Sequence, residues 1–312
     1  MPRAGMGPHG PPRAGRVLLT GAGGQLAADL AATFAAAGHD VHARRREDLD
    51  IADERAVRAA LDDVRPTVVL NPAAYNRVDD AETDAATAFA VNAYGPRVLA
   101  RASADAGATL VHYSTDYVVD GARRRPYTEA DAPLPLSAYA TSKLCGEFFV
   151  RALAPRHYVL RVCGLFGQAG RHTRHGNFVE TMLRAAAAGR ALRVVTDQIV
   201  APTAAHDVAV ATLALVASAA PYDLYHCTAS GETSWYDYAR VIFDIAGVTA
   251  DLSPTTAAAY GAPARRPAYS ILDNARLEAA GVPRPRHWRE ALAEYLTSRQ
   301  PSAISRQLWA DG

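Results

Sequence analysis

Tyr139 and Lys143 stand four residues apart in Tyr139-Ala140-Thr141-Ser142-Lys143. If that stretch is helical, the two side chains share a face. A phenol is a poor acid and a poor base near neutral pH, but a neighbouring ammonium stabilises its phenolate and lowers its pKa. Such a pair can protonate the oxygen of a carbonyl that receives a hydride, and the ammonium can also hold ribose hydroxyls. The spacing alone is common. It gains weight from Ser114-Thr115, which closes an apolar run that reads as a strand. In a doubly wound sheet ligands bind at the carboxyl ends of strands, so a hydroxyl there could reach the same carbonyl oxygen.

A second chemical feature lies near the start of the chain, in Thr20-Gly21-Ala22-Gly23-Gly24-Gln25-Leu26-Ala27. It sits between an apolar run that reads as a strand and a segment that reads as a helix. Read as G-x-x-G-x-x-A, its fixed points are Gly21, Gly24 and Ala27. Glycines there allow a tight turn and close approach of backbone to a pyrophosphate, which then faces the helix N-terminus. After the second strand comes Arg44-Arg45-Arg46, ahead of the first acid, Glu47. Arg44 and Arg45 suit the 2′-phosphate of NADPH better than the hydroxyls of NADH, which is kept as the alternative. Asp50-Ile51 follows one loop later, where an adenine pocket would lie.

These groups need a frame. The pattern predicts strands at 16–20, 39–43, 67–71, 109–114 and 158–162. Between them it predicts helices at 25–37, 52–64, 81–106 and 139–153, the third kinked at Gly95-Pro96. Alternation of this kind implies βαβ units with right-handed crossovers. The fold class is therefore α/β, a Rossmann-type doubly wound parallel sheet with a smaller C-terminal α/β substrate-binding lobe. Residues 1–15, rich in Pro, Gly and Arg, read as a disordered tail, 16–166 as the dinucleotide-binding domain and 167–312 as the lobe, some segments of which return to the main sheet. In the lobe, helices are expected at 177–188, 236–246 and 288–298, strands at 192–195 and 224–226, and a Pro-rich connector at 253–267.

Composition narrows the partners. The formal net charge is +1, which excludes a global field suited to nucleic acid. Apolar residues make up 49% of the chain, yet no run approaches the ~18 needed for a membrane span. Three cysteines without paired spacing suit a reducing compartment, and the expected location is cytoplasmic. No carboxylate cluster demands a metal. Association into a homodimer is left open.

Longer stretches carry a resemblance that covers residues 17 to about 296. They include Asn71-Pro72-Ala73-Ala74-Tyr75 with Val78-Asp79-Asp80, Val91-Asn92-Ala93, Tyr113-Ser114-Thr115-Asp116-Tyr117, the Tyr139–Lys143 segment with Gly146-Glu147, Gly176-Asn177-Phe178, Asp197-Gln198 to Pro202-Thr203, and Arg266-Pro267. In these the chain resembles the extended short-chain dehydrogenase/reductases, and within them the dTDP-4-dehydrorhamnose reductase family. The resemblance implies reduction of the C4 ketone of a nucleotide-diphosphate-linked 6-deoxyhexose by NADPH or NADH. It makes Tyr139 the proton donor, Lys143 its electrostatic partner and ribose ligand, and Thr115 the third catalytic member. Cofactor contacts fall on Gly21, Gly23, Gly24, Gln25, Leu26, Asp50, Ile51, Ala73, Ala74, Tyr75 and Tyr113. Sugar and diphosphate contacts fall on Thr115, Asp116, Tyr117, Gly164, Asn177 and Arg266.

Two departures bear on the sugar. Gly164 stands where rhamnose-forming members carry a Trp, so a stacking wall is missing unless Phe166 or the loop Gly167–Gly176 replaces it. Val119 replaces a Phe. Arg171 and Arg174 in that loop are candidates for diphosphate contact. Two other readings are weighed. One is a non-catalytic dinucleotide-binding subunit, similar to the beta subunit of methionine adenosyltransferase. The other is a nucleotide-sugar epimerase or dehydratase of the same fold. Intact Thr115, Tyr139 and Lys143 favour the reductase, and Asp116-Tyr117 stands where a dehydratase would place Asp-Glu acids.

Overall fold

Val17, Leu18 and Leu19 of β1 (Arg16–Leu19) have no exposed surface, and successive residues face opposite sides of a sheet. Val17 and Leu19 pack with Leu30 and Phe34 of α1 (Gln25–Ala36), while Leu18 packs with Leu61 and Val64 on the other face. A strand buried on both faces reads as a continuous apolar run, and that is how it appears in the sequence. The computed structural model, which describes residues 14–172 and 176–298, continues in the same way. It passes through β2 (Asp40–Ala43), α2 (Glu54–Val64), β3 (Val68–Asn71), α3 (Ala85–Phe89), α4 (Gly95–Asp105), β4 (Thr109–Thr115), α5 (Ala138–Leu153) and β5 (His157–Val162). The chain then leaves the sheet for α6 (Phe178–Ala187), β6 (Leu192–Val195) and β7 (Ile199–Val200). It returns through α7 (Ala205–Ala217) to β8 (Asp223–His226).

Six parallel strands result, in the order β2-β1-β3-β4-β5-β8. The doubly wound α/β expectation is borne out. Winding reverses between β1 and β3, so the crevice at their carboxyl ends is the topological switch point. Helices α1 and α7 cover one face, and α2, α4 and α5 cover the other. Helix α7 was not expected. Its sequence is apolar almost all round, so no 3.6-residue period stands out, because one side meets the sheet and another meets α1. The expected tail 1–15 falls almost wholly outside the described residues.

Past β8 come β9 (Thr233–Ser234), α8 (Trp235–Ala246), β10 (Leu252–Thr255), α9 (Ala257–Tyr260), α10 (Ala275–Ala279) and α11 (Trp288–Thr297). Helices α6, α8 and α11 enclose a separate core built on Phe166, Leu183, Tyr238, Ile242, Trp288 and Leu292. Strand β10 lies inside the stretch expected to be a Pro-rich connector. It pairs in parallel with β6 alone, and an edge strand tolerates Pro254, which lacks an N–H.

The helix expected at 81–106 is broken earlier than Gly95-Pro96. A 3-10 turn, Asp80–Glu82, precedes α3, and a π turn, Ala90–Tyr94, joins α3 to α4. Pro96 has no N–H to offer the carbonyl of Asn92, so the α-helical ladder is interrupted there in any case. The wider turn sends Asn92 inward. Its amide accepts from Tyr75 N (2.9 Å) and donates to the Tyr75 carbonyl (2.9 Å) and to Ser142 Oγ (3.0 Å). That fixes the loop after β3 against α5.

Helix α5 is also tied to the sheet by charge. Glu147 accepts two hydrogen bonds from Arg161 of β5, at 2.9 and 2.8 Å, and both side chains are buried. His226 of β8 sits 3.5 Å from the same guanidinium. Burial and that cation push the imidazole down to about 3, so it is neutral. Removing one partner of a buried ion pair leaves the other uncompensated. Glu147→Gln is therefore expected to lower unfolding free energy by about 3–5 kcal/mol in urea titrations. A loss below ~1 kcal/mol would mean the pair does not hold α5 to β5.

Candidate active site

The groups expected to do chemistry converge on the switch-point crevice. Thr115 is the last residue of β4, and Tyr139 and Lys143 lie on the first turns of α5, which Ser137 caps by accepting from Ala140 N at 3.2 Å. The Lys143 ammonium, 3% exposed, donates to the Tyr113 carbonyl at 2.6 Å. Burial depresses its pKa to about 8, and nearby Glu147 opposes the shift. The Thr115 hydroxyl lies close enough to the Tyr139 phenol to favour its phenolate. Thr115 Oγ1 also donates to Asp116 Oδ1 (3.2 Å) and accepts from Tyr117 N (3.2 Å). The Tyr117 ring meets Tyr139 edge-on, with centroids 6.3 Å apart.

The sign of the phenol's shift differs from the expectation. Burial pushes Tyr139 up to about 12, and the Asp116 carboxylate adds to this, while the Thr115 hydroxyl opposes it. The ammonium is turned to the Tyr113 carbonyl, and desolvation of the phenolate is the largest cause of the shift. Tyr139 is thus held as an acid, ready to give a proton. Asp116 is 2% exposed, and burial raises its carboxyl to about 6. Hydrogen bonds from Ser270 Oγ (2.6 Å), Cys163 and Thr115 hold it from rising further. Its carboxylate is spent on these hydroxyl and thiol donors, so the expected sugar contact would have to come from another of its atoms.

A groove of about 290 Å³ runs along these groups and is lined by Gly21, Gly24, Gln25, Leu26, Ala74, Thr115, Asp116, Tyr117, Tyr139, Lys143 and Gly164. The glycine turn at its end fits a pyrophosphate cradle. Gly21 has φ +62°, and a Cβ there would lie 2.8 Å from Ala73 Cα. Gly24 caps α1 without a side-chain hydrogen bond, and no acid occupies the first helical turn. The positive end of a 12-residue helix is left facing the crevice.

Other expected cofactor residues are arranged differently. Tyr113 lends its carbonyl to Lys143, but its phenol turns away to donate to Thr212 Oγ1 at 3.0 Å. The Tyr75 ring packs against Ala81 and Ala88, and the side chains of Leu26 and Ile51 belong to the two cores beside the sheet. Gly23 is exposed at the turn. Asp50 caps the following turn by accepting from Ala52 N (2.9 Å). Arg44 lies 3.6 Å from Asp63, and exposed Arg45 lies 3.8 Å from Glu47.

A larger cavity, about 540 Å³, opens beyond Tyr117 and is lined by Phe178, Met182, Gln198 and Trp235 with Arg193, Arg265 and Arg266. Arg266 grips Asp79 through two hydrogen bonds, at 3.0 and 2.9 Å, and lines the cavity together with Tyr117. Asn177 does not line this cavity. It caps α6 by accepting from Glu180 N (3.0 Å) and donates to Gln25 Oε1 (3.3 Å). Arg171 is not aimed there either, because it binds the Tyr295 carbonyl and Ser298 Oγ of the last helix. Arg174 lies outside the described residues. Phe166 is buried in the lobe core and cannot replace a stacking wall at Gly164. Asp79 and Ser270 were not singled out, since their roles depend on partners 187 and 154 residues away.

Comparison with known proteins adds a family to this geometry. A family model described as "RmlD substrate binding domain" matches residues 15–300. The chain is 42% identical to a dTDP-4-dehydrorhamnose reductase of Streptomyces griseus, over 89% of this chain and 92% of that protein. It is also 42% identical to a probable dTDP-4,6-dihydroxy-2-methyloxan-3-one 4-ketoreductase of Streptomyces antibioticus, over 89% and 94%. Among solved structures, a dTDP-4-dehydrorhamnose reductase from Bacillus anthracis in complex with NADP superposes with a TM-score of 0.86. It is 34% identical, with coverage of 92% of this chain and 100% of that one.

Gly21→Ala places a methyl group against the backbone of Ala73 in a conformation that side chains rarely adopt. Affinity for NADPH, followed by protein fluorescence, should fall at least ~10-fold in that variant. Affinity equal to that of the unmodified chain would disqualify this turn as the pyrophosphate cradle.

Proposed function

The chain belongs to the RmlD substrate binding domain family, and from that membership and the groove at Tyr139 we propose that it is an NADPH-dependent ketoreductase. Its substrate is the C4 ketone of a dTDP-4-keto-6-deoxyhexose. The observation that carries this reading is the convergence of Thr115, Tyr139 and Lys143 in one groove that abuts an arginine-lined cavity.

Residues 16–166 supply the dinucleotide side and the later lobe supplies the nucleotide-sugar side. The Gly21–Gly24 turn and the first turn of α1 hold the pyrophosphate, and Arg44 and Arg45 lie on the loop suited to a 2′-phosphate. Lys143 would hold ribose hydroxyls of the cofactor. When bound, NADPH supplies the hydride. Tyr139 gives its proton to the carbonyl oxygen as that oxygen gains negative charge, and the Thr115 hydroxyl turns its single proton from Asp116 Oδ1 to the same oxygen. An alkoxide is a stronger base than a phenolate, so transfer from a phenol pushed up to about 12 still runs downhill. Arg266, with Arg193 and Arg265 on the same cavity wall, faces the diphosphate. Among the described residues no helix is long and apolar enough to cross a membrane, and three free cysteines suit a cytoplasmic enzyme.

Tyr139→Phe keeps the ring and removes the proton. Turnover of dTDP-4-keto-6-deoxyglucose, epimerised or not, is expected to fall by ~10²–10⁴-fold with NADPH affinity nearly unchanged. Undiminished turnover would end the assignment. A second outcome concerns pH. The Lys143 pKa is lowered to about 8, so its charge is lost as pH rises through that value. The phenol stays protonated up to about 12. The alkaline limb of the kcat/KM profile should therefore begin near pH 8 and belong to Lys143. A profile that stays flat to pH 10 contradicts that role.

A further inference from the structure

Gly164 lines the catalytic groove with φ +47°. A Cβ built there would lie 3.1 Å from Trp235 Cη2 and 3.4 Å from Pro202 Cα. The tip of the Trp235 indole therefore stands directly over the wall of the groove, on the site where a side chain at 164 would otherwise grow. Trp235 also lines the larger cavity, and Tyr117 lines both. The indole and the Tyr117 phenol thus flank the seam where the groove meets the cavity.

The indole is held from several sides. Trp235 is the first residue of α8, whose start is fixed by Ser234: its Oγ accepts from Asp237 N at 3.0 Å and donates to Asp237 Oδ2 at 2.6 Å. Phe178 backs the ring at a centroid distance of 4.6 Å, and Tyr238 meets it at 6.1 Å. The ring nevertheless remains half-buried. A ligand with its ketone at Tyr139 and its diphosphate near Arg266 must place its hexose at this seam. A 6-deoxyhexose offers an apolar face of C–H groups and a methyl, which an aromatic ring covers well.

We propose that Trp235 is the stacking wall of the sugar subsite, and that Gly164 is the gap that admits it. The inference rests on the ketoreductase reading. The wall comes from the second lobe rather than from the loop after β5, so sugar selection and lobe position are set by one side chain.

Calorimetric titration with dTDP and with dTDP-rhamnose tests this on the intact chain and separates the two readings. The sugar's increment is the ratio of the two dissociation constants. In Trp235→Leu that ratio should shrink about tenfold while dTDP affinity stays within about twofold, and Trp235→Phe should restore part of it. Gly164→Ala, which pushes on the ring tip, should shrink it as well. Thermal unfolding of each variant checks that the lobe is intact. Equal weakening of dTDP and dTDP-rhamnose in Trp235→Leu would place the indole on the base and overturn the proposal, as would an unchanged ratio. Should the unmodified chain bind dTDP-rhamnose no better than dTDP, the nucleotide-sugar reading fails together with the wall.

Discussion

An ammonium buried at 3% exposure needs a partner, and Lys143 has the Tyr113 carbonyl at 2.6 Å. That single hydrogen bond joins α5 to the carboxyl end of β4, and most of the site follows from it. It fixes the face of α5 that Tyr139 and Lys143 share, so the phenol arrives beside Thr115. It also directs the ammonium at that carbonyl rather than at the phenol. The phenol is then governed by its own desolvation and is kept protonated. A site built to abstract a proton would need the opposite balance.

The second lobe is pinned to this centre by two polar ties. Ser270 reaches Asp116, next to Thr115, and Arg266 reaches Asp79 on the loop after β3, on the cavity wall it shares with Tyr117. The Asp116–Ser270 tie is buried, so each group offsets the other's desolvation, while the Asp79–Arg266 tie lies on the wall of the larger cavity. Gln25 adds a third, donating to the Leu165 carbonyl and accepting from Asn177. The Gly21–Gly24 turn, the end of β4 and the second lobe are thus braced against one another around the two cavities.

What could be read in the sequence was local. Apolar runs fully buried in a parallel sheet look like strands, a glycine turn between strand and helix looks like a phosphate cradle, and residues four apart share a helix face. Those three signals placed β1, the Gly21–Gly24 turn and the Tyr139–Lys143 face. Helix α7 was hidden because two of its sides are buried, and β10 because Pro254 reads as a breaker. The π turn at Ala90–Tyr94 has no local signature beyond Pro96. Asn177 carried a family-like motif, but its side chain is used for capping, which spacing alone did not separate from ligand binding. The direction of the Tyr139 shift depends on how much water reaches the phenol, and that is a property of the assembled crevice.

The ties between Asp116 and Ser270 and between Asp79 and Arg266 span 154 and 187 residues of chain. Contacts that close such long loops cost entropy before they return any stabilisation, so they form late in folding. The sheet with Thr115, Tyr139 and Lys143 can be complete while the segment carrying Arg266 and Ser270 is still undocked. A chain at that stage would therefore hold Thr115, Tyr139 and Lys143 together, but the carboxylate beside Thr115 would lack its Ser270 hydroxyl and the cavity its Arg266 wall. The crevice is therefore completed by the docking of a segment far along the chain, not by the closing of the sheet alone.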